Sequence, residues 1–155
     1  MEPLNFPPTG PFDVRQQGGR RVILDAVRRK YVRLTPEEWV RQHLVRLLTE
    51  RLGYPAGLLA VEKQIEAAGG PRRADVVAYD RQQRPLLIAE CKAPAVKLTQ
   101  AVFDQVSRYN TVTLAPHLAV TNGREHYCWT VDRAAGTFHF LGTIPPFRTL
   151  DQSEA

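Results

Sequence analysis

The sequence has no apolar run of about 18 residues, so it offers no segment suited to a membrane-spanning helix. Met1-Glu2-Pro3-Leu4-Asn5 is neither basic nor followed by an apolar stretch, which argues against a secretory leader. Cysteine is scarce. Cys91 and Cys128 form no metal-type spacing and Cys91 lies inside an apolar run, so a reduced, cytoplasmic protein is the simplest reading. No G-x-x-x-x-G-K-[ST] loop is present, which leaves no basis for an ATP-driven step, and no base-reading motif is recognisable. Repeats and low-complexity tracts are absent as well.

What is present is an ordinary globular composition. The 155 residues are 43% hydrophobic and 24% charged, enough for one domain with its own core. Lys and Arg outnumber Asp and Glu by 21 to 16, giving +5 and a pI near 9.6. The surplus is uneven: Arg15, Arg20, Arg21, Arg28, Arg29, Lys30 and Arg33 crowd the amino-terminal part, and Arg72 and Arg73 precede Asp75. Such a distribution suits a polyanionic partner, and it equally suits a solvated arginine-rich surface.

Pro3, Pro7, Pro8, Pro11 and three glycines predict an extended arm over residues 1–20, followed by one domain over 21–145 and a loose tail over 146–155. Residues 22–34 mix β-branched and basic side chains and read as strands or as surface segments. Thr35-Pro36-Glu37-Glu38 opens a helix, with Thr35 as N-cap, Pro36 at the first helical position and Glu38 placed for a capping box. Val40, Leu44 and Leu47 set its inward direction, Glu37 falls at the rim of that face, and Glu38 points outward. Leu58–Ile65, Ala74–Tyr79 and Pro85–Cys91 read as three strands of an antiparallel meander, the first two joined through a turn over 67–71. A second helix over 98–114, with Thr99 as candidate N-cap, leads to a short strand at His117–Thr121. A helical crossover makes that strand the parallel neighbour of Pro85–Cys91. Tyr127–Val131 and Phe138–Leu141 form a closing hairpin. The order α-β-β-β-α-β plus hairpin implies an α/β domain built on one mixed sheet flanked by helices.

The chemistry concentrates at the end of Leu86-Leu87-Ile88-Ala89-Glu90-Cys91-Lys92. Alternate residues of a strand share a face, so Glu90 and Lys92 point one way and Cys91 the other. Asp75 and Glu90 are equidistant from a hairpin centred near Arg81–Gln83, which sets the two carboxylates side by side. Paired hard oxygens at neighbouring strand ends suit Mg²⁺ or Mn²⁺. Lys92 would then orient an attacking water and offset charge. An ion pair that caps the core produces the same Glu-x-Lys pattern, and Asp75 can equally pair with Arg72 or Arg73.

Asp75 followed by Glu90-Cys91-Lys92 after an apolar run resembles the PD-(D/E)xK nuclease superfamily, with Ala74 where the motif carries proline. Gln105-Val106-Ser107-Arg108-Tyr109 is similar to the Gln-xxx-Tyr motif of RecB-like nucleases. Leu34-Thr35-Pro36-Glu37-Glu38-Trp39-Val40-Arg41-Gln42, Arg73–Tyr79, Ala89–Pro94, Phe103-Asp104-Gln105, Arg108-Tyr109-Asn110 and Thr121-Asn122-Gly123 resemble stand-alone relatives of the amino-terminal nuclease domain of type I restriction enzyme R subunits. The resemblance implies a restriction-endonuclease-like fold, with Asp75 and Glu90 as metal ligands, the Cys91 carbonyl as a third, and Lys92 as the catalytic lysine. It further implies that Glu37 holds a second metal or a metal-bound water. Gln105 and Tyr109 would support the lysine or contact the DNA backbone, though Tyr109 reads as well as a core residue.

The implied activity is a Mg²⁺- or Mn²⁺-dependent deoxyribonuclease of the restriction-modification kind, with DNA as partner, no membrane and no ATP, acting as a homodimer or in a larger DNA-processing complex. The alternative is an inactive nucleic-acid-binding or complex-forming module on the same fold.

Overall fold

Thr35 starts the first helix in the expected way. Its side-chain oxygen accepts from the Glu38 amide at 3.0 Å and Pro36 takes the first position of α1 (Pro36–Arg46). Val40, Leu44 and, one turn further, Leu48 are fully buried against the sheet. The helix ends in a wide π-type turn over Leu47–Arg51 instead of running evenly to Gly53.

A computed structural model describes residues 1–67 and 69–151, except for the side chain of Tyr109. Two sheets compose it. The amino-terminal one has three antiparallel strands in the order β1 (Val14–Gln17), β2 (Arg20–Asp25) and β3 (Lys30–Arg33). The main sheet has six, β4 (Leu59–Ile65), β5 (Arg72–Tyr79), β6 (Pro85–Cys91), β7 (His117–Thr121), β8 (His126–Asp132) and β9 (Thr137–Leu141), in that spatial order. Its strands pair antiparallel except β6 and β7, which run parallel because α2 (Gln100–Thr113) joins them. Thr99 occupies the N-cap position of α2 but makes no side-chain cap bond. The expected turn over 67–71 includes Ala68, which lies outside the described residues.

The sheet is buried on both faces. One face packs Val61, Val76, Leu87 and Cys91 against α1; the other packs Val77, Ile88, Leu118 and Trp129 against Val106 of α2. Burial on both faces explains why β6 is a continuous apolar run and not an alternating one.

Both chain ends differ from expectation. The residues expected as an arm include strand β1, and the stretch before it is docked: Leu4 and Phe6 pack on the α1 core, and the Trp39 indole donates to the Glu2 carbonyl at 3.0 Å. Phe6 and Phe12 stack against His43, with ring centroids 5.6 and 4.6 Å apart. Trp39 and His43 thus serve a second, outer contact of α1 that proline-rich chain covers. Residues 22–34, left open between strand and surface, are β2 and β3. At the other end, the expected loose tail forms a short helix, α3 (Phe147–Leu150), whose Phe147 and Leu150 are buried in the α1-side core. Apolar burial outweighs the sparse local signals there; residues 152–155 lie outside the described residues.

Phe147→Ala is expected to lower stability by about 3–5 kcal/mol, the usual loss for a buried aromatic. Urea unfolding checks it; a change below about 0.5 kcal/mol would mean that this segment is loose after all.

Candidate functional site

Register decides the site. Val76 pairs with Ala89 and Val77 with Ile88, so the next position sets Asp75 opposite Glu90, as the hairpin arithmetic requires. A register shift after Ala78 lies at the turn end and leaves this alignment intact. Asp75 and Glu90 are both buried. Asp75 Oδ2 accepts from the Cys91 amide at 2.7 Å, which locks the carboxylate onto the end of β6. Lys92, just beyond the strand, brings its ammonium to 3.6 Å from Glu90 Oε1. Asp75, Glu90 and Lys92 are therefore together.

Glu90 is the uncomfortable member. With both carboxylates ionised, its Oε2 is buried and has no hydrogen-bond partner. Burial first, then the charge of Asp75, pushes its carboxyl up to about 8, and Lys92 only partly offsets them. A proton, or another positive group, is what the space between Asp75 and Glu90 lacks when both are charged.

Asp75 is held differently. Neither Arg72 nor Arg73 takes it; Arg41 of α1 does, through Nη2 at 2.9 Å from Oδ1. The same guanidinium meets Glu37 at 2.9 Å and Glu38 at 2.7 Å, with Glu62 at 3.5 Å. Arg41 is almost fully buried. Burial works against its charge, but Asp75 and Glu38 outweigh that and raise its pKa.

Glu38 overturns the helical-wheel expectation. It is buried, not outward, and does not close a capping box, because the Thr35 amide donates to Arg33 instead. Its carboxylate takes hydrogen bonds from Arg28, Arg41 and Gln42. The cause is the amino-terminal sheet. The β2–β3 turn lies over this side of α1, and Arg28 in it bonds Asp25, Glu38 and Glu62 at 2.7, 2.9 and 3.2 Å. Glu37 stays at the rim, with its side chain 45% exposed, and burial together with Asp75 raises its pKa.

Glu62 is a further member that sequence reasoning missed. It sits in β4 at φ +52, between the Val61–Val76 and Lys63–Ala74 pairs. A glutamate in the left-handed region costs on the order of 1 kcal/mol or more, offset here by Arg28 and Arg41. No local sequence signal marks that twist. Arg28, Arg41 and Gln42 were visible as polar residues, but only the packing of the hairpin on α1 reveals them as buried.

Among the described residues, no group of three or more His, Cys, Asp or Glu side chains is gathered as a metal cluster. Arg41 draws Glu37 and one oxygen of Asp75 toward itself, which leaves the two carboxylates at the strand ends as the available pair. Those two suit a hard divalent cation, since one buried Glu90 oxygen is unpartnered and the neighbouring Asp75 charge raises the Glu90 pKa. Gln105 is half-buried on α2, one residue before the buried Val106; the Tyr109 side chain lies outside the described residues. Two cavities, of about 480 and 470 Å³, lie elsewhere, and neither is lined by Asp75 or Glu90.

The comparisons speak to the family and the fold. A family model described as the type I restriction enzyme R protein N terminus matches residues 36–145. Among solved structures, a fragment of a protein assigned as the HsdR subunit of a type I restriction enzyme from Vibrio vulnificus YJ016 shares the fold, with a TM-score of 0.53 at 18% identity. The match covers 76% of this chain but 24% of that one, so the chain spans about a quarter of its relative. No curated protein matches the chain.

Two outcomes test the electrostatics. Arg41→Met should lower stability by about 3–5 kcal/mol in urea unfolding, because it strands buried carboxylates. Raised folded pKa values give the opposite sign for Glu90→Gln in metal-free buffer. Unfolded Glu90 ionises near 4.5 and the folded group near 8, so the wild type loses stability between those values as pH rises. The variant lacks that loss and should gain on the wild type up to about pH 8; a constant difference from pH 5 to 8 would refute the raised pKa.

Proposed function

The chain belongs to the type I restriction enzyme R protein N-terminal family, and on that footing we propose that it is a metal-dependent nuclease hydrolysing phosphodiester bonds of DNA. The observation that carries the reading is the buried Glu90 carboxylate, with one oxygen unpartnered, set opposite Asp75 and beside Lys92. A purely structural ion pair would satisfy both oxygens. A core that placed two like charges together with no further use would be costly to keep.

Asp75 and Glu90 would hold the cation, Mg²⁺ or Mn²⁺, with the Cys91 carbonyl and Glu37 as further donors. When bound, the cation supplies charge neutralisation and polarises phosphate and water. The protein's own groups do the rest. Arg41 and the Cys91 amide fix Asp75 from two sides, so its carboxylate cannot swing away. Lys92 holds its ammonium against Glu90, where it can orient the attacking water and offset the charge that gathers on the phosphate. In the reaction, water oxygen adds to phosphorus and gives up a proton to solvent, one P–O ester bond breaks, and the departing oxygen takes up a proton from solvent. Glu37, half-exposed at the rim of α1 and bonded to Arg41, would hold a second cation or a cation-bound water. Gln105 and Tyr109 on α2 complete the proposed site as supports of Lys92 or of the DNA backbone. DNA is the proposed partner, within a DNA-processing assembly.

Glu90→Gln keeps the shape and removes the charge. It should abolish Mg²⁺- or Mn²⁺-dependent cleavage, a loss of at least about 100-fold, while the folded protein remains intact. A second readout needs no activity: Mn²⁺ should raise the thermal midpoint of the wild type and leave the variant unmoved. If saturating Mn²⁺ shifts neither protein, and single-stranded, duplex and branched DNA all survive, the nuclease reading fails.

A further inference from the structure

The amino-terminal sheet lies before residue 36, where the family match begins, and nothing assigned to the site uses its outer surface. Its inner face is committed. Ile23 is fully buried, and Asp25, also buried, accepts from Arg28 and from Gln42 of α1. Arg28, with its side chain 16% exposed, reaches Glu38 and Glu62, and Glu38 is shared with the Arg41 that holds Asp75. The sheet is therefore pinned one ion pair away from the Asp75 clamp.

Its outer surface is mainly cationic. Arg20 and Arg33 are exposed on it, Arg29 is exposed in the adjoining β2–β3 turn, and none of the three has an ion pair among the described residues. Arg33 pairs in register with Val22, two residues from Arg20, so Arg20 and Arg33 share the face opposite the buried Ile23. Arg15 stands on that face as well, over the Tyr31 ring at 4.8 Å, but its charge is taken by Asp13 at 3.0 Å. Like charges on one small, firmly anchored sheet repel one another, and Arg20, Arg33 and Arg29 have no internal compensation. The six residues of β2 run roughly 20 Å, a length that meets several phosphates at about 3.4 Å of duplex axis each.

We infer that the β1–β3 sheet is a phosphate-backbone grip: it holds the sugar-phosphate chain of a nucleic acid through Arg20, Arg33 and Arg29 of the β2–β3 turn, and does so without a metal. The inference rests on the nuclease reading only for the choice of nucleic acid as the polyanion. Sequence preference is not expected from it, since contacts to phosphate position a strand without reading its bases. The grip lies outside the acidic cluster, so it can dock a strand before the carboxylates are neutralised.

Arg20→Ala/Arg33→Ala tests it against Arg51→Ala/Arg148→Ala, an equal loss of charge at the far end of α1 and on α3. Binding of a labelled duplex and a labelled single strand is followed by fluorescence anisotropy in EDTA, between about 50 and 200 mM NaCl. The sheet variant should bind about tenfold or more weakly at low salt, with its salt slope reduced by about 2, one unit per lost phosphate contact. The control pair should bind like the wild type. Equal weakening of both variants, or no weakening of either, overturns the grip, as does binding to phosphatidylserine vesicles in place of nucleic acid. The two proposals separate cleanly. Sheet-dependent binding without any metal-dependent cleavage keeps the grip and removes the nuclease; cleavage with unchanged binding by the sheet variant does the reverse.

Discussion

A single guanidinium organises this protein. Arg41 leaves α1 to meet Asp75 of β5, and on the way it touches Glu37 and Glu38 of its own helix and Glu62 of β4. The contacts to Glu37 and Glu38 within α1 hold the Arg41 side chain in place, the one to Glu62 ties it to the left-handed residue of β4, and the one to Asp75 fixes that carboxylate at the strand end. A lysine could not substitute. Only the planar fork offers donors in several directions at once, and only a weakly hydrated cation tolerates such burial. The apolar packing of Val40 and Leu44 positions the helix; Arg41 determines what that position presents.

Much of this could be read from the sequence, for a definite reason. Hairpin register follows from counting along the chain, so the opposition of Asp75 and Glu90 needed only the two strands and the turn between them. The parallel pairing of β6 with β7 followed equally from the helix between them. Local signals failed where a distant element decided the outcome. Glu38 points outward on any wheel drawn for α1 alone, and it is buried because the β2–β3 turn brings Arg28 onto it. The short helix at Phe147 was hidden behind Pro145 and Pro146, whose local meaning is a chain break, while its placement comes from packing against Tyr54. Glu62 had no signal at all, since a positive φ inside a strand is imposed by its partners.

The charge distribution has two layers of opposite sign. Inside lie Asp25, Glu38, Asp75 and Glu90, with Glu37 and Glu62 at the rim, answered by Arg28, Arg41, Lys92 and, for Glu62, Arg73. Pairing uses up Arg28 and Arg41 on Asp25, Glu38 and Asp75, and the deficit falls on Glu90, whose raised pKa registers it. Outside, a few residues from Arg28, stand the unpaired cations of β2 and β3. The protein as a whole is basic, yet its candidate site is acidic.

That inversion bears on the proposed reaction. A phosphodiester is an anion and is repelled by Asp75 and Glu90 so long as nothing positive lies between them. A proton fills that role only up to about pH 8, and a protonated carboxyl is a poor ligand and a poor stabiliser of charge. A divalent cation fills it at any higher pH and attracts the phosphate besides. Metal and substrate should therefore favour one another at the carboxylates, each lowering the electrostatic cost of the other, whereas contacts to the outer sheet are indifferent to metal. The basic surface would concentrate nucleic acid near a site that stays closed to it electrostatically until the cation arrives. Such an order of events requires no moving lid, because charge alone separates docking from chemistry.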